Sequence, residues 1–406
     1  VLSLGNIRTT MQRCMEIDKM SYDVIIVGAG FAGATLAYNF AKDGKKVLVL
    51  EKRSHIGGNA YDYLDENGVD RHEYGPHIFH TNSKRVVDFL SNFTEWYPYE
   101  HRVLGNVNGF VVPIPFNLTS IEKSFDKEKA EHLIELLVKS YGMDKKVPIL
   151  ELKKNDDKDI KELADYIFEH VFKHYTMKQW GLTVEELDPA VTGRVPVLVS
   201  YDDRYFQDTY QIMPKEGYTH IVENMLKSEL IDVVLNCDVH EKIKVDTDNK
   251  KIYFEDEEFI GKFVYTGASD DLLNYELGAL PYRSLEFDVQ SKEGQYQLAA
   301  TVNYPTPKEI NGFTRISEYK LFMENPPVDK TTIAIEYPYA YDPHAEKGNI
   351  PYYPVFTEAN QAKYNAYLER LKGIDNLYLS GRLAEYKYYN MDAIVDKALD
   401  LYEKIK

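Results

Sequence analysis

The chain of 406 residues holds only two cysteines, Cys14 and Cys237, and their separation fits neither a CxxC redox motif nor a zinc-ligand pattern. A disulfide scaffold is excluded, and a reducing, cytoplasmic setting is the expectation. Cations are in deficit, with 48 Lys and Arg against 65 Asp and Glu for a formal net charge of -17. A general nucleic-acid binder needs a basic face for the phosphate backbone, so no nucleic-acid partner is expected. An anionic ligand would have to be met by local arginines. No apolar run reaches the roughly 18 residues of a membrane-spanning helix, so no membrane insertion is expected. Residues 1–20 carry Arg8, Arg13, Glu16, Asp18 and Lys19 where a signal peptide would have its apolar core, and read as a tail. Internal repeats and low-complexity linkers are missing too. What is plentiful is tyrosine, 33 residues, three of them inside GRLAEYKYYNMD from Gly381. At this length the chain can hold two or three domains.

From Tyr22 the sequence YDVIIVGAGFAGATLAYNFAKDGKKVLVLEKR reads as an apolar strand, a glycine turn, a helix and a second strand ending at Glu51. Gly28, Gly30 and Gly33 fit GxGxxG: one for the tight turn, one for close approach of backbone to a pyrophosphate, one for helix-to-strand packing. The helix N-terminus, from Phe31 and Ala32, then faces the anion, and Glu51 takes the adenosine ribose hydroxyls. Gly57 and Gly58, just past the second strand, let a second stretch of backbone approach a long cofactor. By analogy with flavoproteins that carry a glycine doublet there, this favours FAD over NAD. FVYTGASD from Phe263 resembles the return strand of the same group.

Between about Ile121 and Gly181 the pattern turns helical. Ile160, Leu163, Ala164, Ile167, Phe168, Val171, Phe172 and Tyr175 recur at helical steps after the capping carboxylates Asp156, Asp157 and Asp159, and Gly181 is a stop. From Leu285, alternating apolar residues and the segments YQLAATVNY and TTIAIEYP predict strands without intervening helices, hence an antiparallel sheet. LIDVVLNCDVHEKI and KIYFEDEEF read as strands joined by a turn across Asp246 to Asn249.

With these stretches, the motifs HIGGNAY, GPHIFHT, YTMKQWG, TGRVPV and GRLAEYKYY stand in an order that resembles the UDP-galactopyranose mutase family, prokaryotic type, from about Tyr22 to the C-terminus. The resemblance implies an α/β fold: a Rossmann-like FAD-binding domain with an inserted helical domain and an antiparallel β-sheet domain. Mapped on this chain, the FAD-binding domain is discontinuous over 21–100, 212–272 and 372–406. The helical domain with a mobile substrate loop spans 121–200, and the sheet domain spans 101–120, 201–211 and 273–371. It further implies a homodimer that interconverts UDP-galactopyranose and UDP-galactofuranose for cell-surface polysaccharide, using FAD kept reduced by an external donor such as NAD(P)H. In that chemistry the flavin N5 displaces UDP from the anomeric carbon, the N5-glycosyl adduct opens, and it recloses on the other hydroxyl. Acceptance of UDP-N-acetylgalactosamine is an open extension.

A departing UDP is strongly anionic, and arginine offers it planar, permanently charged donors. By resemblance Arg194 and Arg315 are the diphosphate arginines, and with His80 they form the catalytic set. Phe172, Tyr175 and Trp180 are nucleotide contacts, while Tyr205, Asn303, Glu336, Tyr353, Arg382 and Tyr388 complete the substrate site. Beyond the glycine turn, cofactor contacts fall on Lys52, Asn59, His77, Ile78, Val239, Gly381, Arg382, Tyr389, Asn390 and Met391. The chain departs from the family at Asn390, where the usual Asp would add charge. His77 and His80 lack the further ligands a metal needs, so none is expected. An imidazole there could tune a flavin or orient hydroxyls. The alternative is a flavin amine oxidase, which shares the glycine turn, Glu51 and the glycine doublet. YTMKQWG and the two motif arginines argue against it, since an amine carries no diphosphate.

Overall fold

The computed structural model describes residues 7–8, 22–183, 186 and 196–406. Its centre is a six-stranded parallel sheet in the order Ile7–Arg8, Ile231–Val234, Val47–Leu50, Val24–Val27, Lys262–Tyr265 and Leu377–Leu379. The sequence alternation sorts its two faces. Val24, Ile26, Val47 and Val49 pack under the helices Phe31–Lys42, Tyr218–Met225 and Met391–Ile405. Ile25, Leu48 and Leu50 pack under the hairpin of Ile243–Asp246 with Lys251–Phe254 and the helix Glu358–Leu371. A sheet covered on both faces is the Rossmann arrangement, in which ligands bind outside the carboxyl ends of the strands. Ile7 and Arg8, expected in a tail, pair as an edge strand with Val233 and Val234.

A seven-stranded sheet runs Tyr353–Pro354, Tyr282–Glu293, Lys330–Ala340, Arg315–Glu318, Thr301–Asn303, Val103–Val107 and Phe110–Ile114. It departs from the expected antiparallel order at one pair: Thr301–Asn303 lies parallel to the strand from Val103, which arrives from far upstream in the chain. YQLAATVNY also yields only a three-residue strand, Thr301–Asn303. Ahead of it, Glu318 accepts from the Tyr296 and Gln297 amides, and the Gln297 side chain donates to Ala299, Ala300 and Ile316 carbonyls. Side chains there replace the ladder.

A further core is formed by Val103, Val107, Val112 and Ile114 at one edge of this seven-stranded sheet together with the helices Leu118–Ser124, Lys127–Tyr141 and Lys158–Ile167. Asp157 caps the last of these through the Asp159 and Ile160 amides. The expected continuous helix then widens into a π-helical stretch, Phe168–Lys173, before resuming as His174–Trp180 and ending at Gly181 with φ +67. A π turn inserts an extra residue per turn and is frequent at functional sites. Among the described residues no helix is long and apolar enough to cross a membrane.

Candidate active site

The glycine turn is built by sterics. A Cβ on Gly33 would lie 2.0 Å from the Gly28 carbonyl oxygen, and one on Gly28, whose φ is +101, would lie 2.0 Å from Thr266 Oγ1. Glu51, buried at the end of its strand, accepts from the Ala29 amide at 2.8 Å and the Arg53 amide at 2.9 Å. Around them opens a cavity of about 620 Å³. Gly28, Gly30, Phe31, Ala32, Glu51, Lys52, Gly58, Asn59, His77, Val239, Gly381, Arg382 and Met391 all line it. Phe31 and Met391 begin two helices whose N-termini meet this space, a favourable setting for an anion. The cavity fits a dinucleotide cofactor on one more observation. Arg53 donates through Nη2 to Asn59 Oδ1 at 2.8 Å and lies over the Tyr74 ring at 4.2 Å, yet its buried Nη1 has no protein partner. A buried donor left unpaired calls for an acceptor from outside the chain.

Gly33, Ile78, Tyr389 and Asn390 do not line that cavity. Gly33 is packed against Gly28, and Ile78 and Asn390 line a second space of about 550 Å³. The Tyr389 carbonyl instead accepts from Arg382 Nε and Nη2, at 3.1 and 2.5 Å. Arg382 Nη1 donates to the Tyr352 carbonyl at 3.2 Å, and its guanidinium lies 5.4 and 5.1 Å from the rings of Tyr353 and Tyr388, which stack on each other. Main-chain carbonyls therefore hold this charge at the join: Asn59, Tyr74, His77, Arg382 and Met391 line both cavities.

His77 N–H donates to His72 Nδ1, and the His77 Nδ1 faces the Gly75 carbonyl at 2.8 Å. Burial, then the nearby His72, pulls the His77 imidazole down to about 3, so the ring is neutral. His80, on the strand Phe79–Thr81, lines the second cavity with Tyr205, Arg315 and Tyr388. His101, also pulled down to about 3 by burial and then by Arg315, joins them.

Beyond lies a third space of about 210 Å³, into which Phe172, Tyr175, Trp180, Tyr205, Asn303, Arg315, Glu336, Tyr353 and Tyr388 all project. Burial, then Tyr388, pushes the Tyr353 hydroxyl up to about 12. The helix that carries Tyr175 and Trp180 is tied down by two cations. Arg283 donates to the Gln179 and Lys178 carbonyls at its C-terminus, and Lys178 Nζ donates to the carbonyls of Tyr304, Asn311 and Phe313. Burial lowers the Lys178 ammonium to about 8. Arg194 lies outside the described residues.

The three spaces form a chain of shared walls: a long cavity suited to a dinucleotide, a central chamber with histidines and arginines, and an aromatic slot. Sequence reading missed Arg53, Tyr74, His101, Lys178 and Arg283. Arg53 follows Glu51 closely enough to have been suspected; the others are brought in by tertiary packing alone.

The family profile described as UDP-galactopyranose mutase matches residues 170–388, and a profile for a NAD(P)-binding Rossmann-like domain matches residues 26–93. The UDP-galactopyranose mutase of Mycoplasma pneumoniae is 35% identical over 389 residues, 95% of this chain and 96% of that one. The dTDP-fucopyranose mutase of Escherichia coli is 31% identical over 379 residues, 93% of this chain and 96% of that one. A crystal structure of a reduced UDP-galactopyranose mutase matches with a TM-score of 0.70 at 17% identity, covering 95% of this chain and 94% of that chain, a likeness of fold.

Proposed function

The chain belongs to the UDP-galactopyranose mutase family, and from that premise we propose that it interconverts UDP-galactopyranose and UDP-galactofuranose with reduced FAD. The observation that carries the reading is the placement of Arg382 in the wall shared by the dinucleotide cavity and the central chamber, with Arg315 beyond it toward the aromatic slot. That order matches a flavin, a sugar, a diphosphate and a uracil in sequence. An oxidase acting on an amine has no use for two guanidiniums in a row.

Reduced FAD, when bound, supplies an electron-rich N5 for attack at the anomeric carbon. Glu51 would hold its adenosine ribose, the amides after Gly30 its pyrophosphate, and the backbone at Gly381 and Met391 its flavin end. Arg315, with Arg194 from the undescribed segment, would stabilise charge as UDP departs, which is where preorganised donors lower a barrier most. Trp180, Tyr175 and Phe172 would receive the uridine. Neutral His77 would present no charge to the flavin. Asn303, Tyr205 and His80 would orient sugar hydroxyls, and Glu336 would orient Arg315. The protein acts in this reading as a cytoplasmic homodimer reduced by a donor such as NAD(P)H.

The test is turnover of UDP-galactofuranose by the purified flavoprotein, with and without dithionite, read by chromatography of the two sugar nucleotides. Conversion to the pyranose only under reduction supports the reading. Absence of conversion by reduced, flavin-loaded protein, or peroxide release with an amine, defeats it. Running UDP-N-acetylgalactosamine and dTDP-fucose alongside measures how far the slot and chamber discriminate.

A further inference from the structure

We propose that Asp208 is a positioning residue for this reaction: it turns the Nδ1 edge of His80 to a carboxylate so that Nε2 is offered to the sugar. The proposal rests on the mutase reading above. His80 sits on the strand Phe79–Thr81, antiparallel to Tyr210–Pro214 with Gln211 opposite it. The chain leading into that partner strand folds over the imidazole. Phe206 stacks on the ring with centroids 3.5 Å apart at 12°, and His101 lies on Phe206 at 6.0 Å and 28°. Asp208 Oδ2 is 2.9 Å from His80 Nδ1.

An ionised carboxylate only accepts hydrogen bonds. Nδ1 therefore carries a proton, and the tautomer this contact selects is the one whose lone pair is on Nε2. The carboxylate is itself held, because Asn82 Nδ2 donates to Asp208 Oδ1 at 2.9 Å. Asn82 cannot turn round, since its Oδ1 accepts from the Thr209 amide and hydroxyl at 2.8 and 2.9 Å. Asp208 and His80 also face different spaces. His80 lines the central chamber, whereas Asp208 lines a small cavity of about 170 Å³ behind it, with Pro115 and Lys146. Phe206 forms the partition, lining both. With one edge bonded and one face covered, Nε2 is the atom left for a ligand in the chamber. In the proposed reaction the sugar's ring oxygen and its 4-hydroxyl exchange roles, and a fixed acceptor at Nε2 orients one hydroxyl while they do.

The Asn82 contact makes the test sharp. In Asp208→Asn, Oδ1 still accepts from Asn82, so the new amide nitrogen faces His80 Nδ1 as a donor and drives the ring proton onto Nε2. Long-range nitrogen–proton spectra of full-length flavoprotein labelled with 15N-histidine read the tautomer, with His80→Gln identifying the His80 signals. The expected results are Nδ1–H in the parent, Nε2–H in Asp208→Asn and a mixture in Asp208→Ala, which removes the acceptor and adds no donor. Orienting partners of this kind are typically worth about 10–100-fold in activity. We therefore expect kcat to fall by that factor in Asp208→Asn, with KM and flavin content nearly unchanged and no further loss when it is added to His80→Gln. A parent with the proton on Nε2, or an Asp208→Asn defect that persists in full in the His80→Gln background, overturns the proposal. A parent with the expected tautomer and no mutase turnover overturns the functional reading and leaves the His80 geometry standing.

Discussion

Arg315 donates from Nε to one oxygen of Glu336 at 2.8 Å, and its Nη2 lies 2.7 Å from the same oxygen as an ion pair. Both residues sit on strands of the seven-stranded sheet, directly opposite each other in register, so the pair is set by the sheet rather than by a mobile loop. Glu336 is almost fully buried, and its other oxygen faces Thr314 Oγ1 at 3.3 Å. The Glu336 hydrogen bond uses one of the five N–H groups of a guanidinium. The remaining edge belongs to a side chain that lines the central chamber and the aromatic slot.

Replacing Arg315 by Ala should lower kcat by about 100- to 1000-fold, the usual loss when a donor to developing charge is removed. The yellow flavin should stay bound, because Arg315 does not line the dinucleotide cavity. Arg315→Lys should recover little, since an ammonium cannot reproduce a planar fork held by Glu336. Steady-state kinetics with flavin absorbance on the same samples checks this. Unchanged kcat in the Ala variant removes Arg315 from the diphosphate.

Trp180 should matter to binding in a different way. It is buried at the end of a helix pinned by Arg283 and Lys178, 6.4 Å from the Tyr353 ring. Stacking of a base on an aromatic ring is worth about 1–3 kcal/mol. Trp180→Ala should therefore weaken UDP binding roughly ten- to hundred-fold in calorimetry, with flavin occupancy unchanged. An unaltered UDP affinity means the base lies elsewhere.

The sequence announced the dinucleotide turn because its causes are local. Gly33 and Glu51 answer to contacts within one strand–helix–strand unit, and Gly28, although it stands in the same motif, is further pinned by Thr266 from far along the chain. Residues bearing motifs for the substrate site, such as Tyr175, Trp180 and Tyr388, also come together in one slot. Other features had no local signal. Asp208 meets His80 only because two strands pair across 128 positions, and nothing near Asp208 marks it. Lys178 reads as a charged helix position until the loop from Tyr304 to Phe313 turns three carbonyls onto it. Tyr386, in the tyrosine cluster, is a core residue whose hydroxyl donates to the Pro281 and Val355 carbonyls. Its motif neighbours Arg382 and Tyr388 line the chamber, and composition could not separate these roles.

Stability should carry the mark of a buried proton. Burial, then the charges of Asp62 and Asp65, push the Asp70 carboxyl up to about 7. An unfolded aspartate titrates near 4, so between about pH 4 and 7 the folded state binds the extra proton. The stabilisation is full below the unfolded value and is lost as pH rises through the folded one. Asp70→Asn removes the titration. Its melting temperature relative to the parent should be higher at pH 8 than at pH 5, by an amount on the order of 1 kcal/mol in stability. An offset that is the same at both pH values excludes the buried proton.

The three glycines of the turn should fail for different reasons. A Cβ at Gly28 or Gly33 collides with the protein at 2.0 Å, so Ala at either position should lower the melting temperature even without flavin. Gly30 is different. Its φ is −82, and a Cβ there would meet nothing nearer than Gly58 Cα at 3.6 Å, an ordinary contact. The protein itself thus has no steric need for glycine at this place. On the proposed reading the need comes from a ligand that approaches the backbone where the helix begins, as a pyrophosphate does. Gly30→Ala should leave the apo-protein melting temperature close to that of the parent and lower flavin affinity at least about tenfold, roughly 1.4 kcal/mol. Flavin titration by fluorescence, beside thermal melts of stripped protein, separates the two effects. A variant that binds flavin normally would place the pyrophosphate away from this turn, and one that melts early would make Gly30 a structural residue like its neighbours.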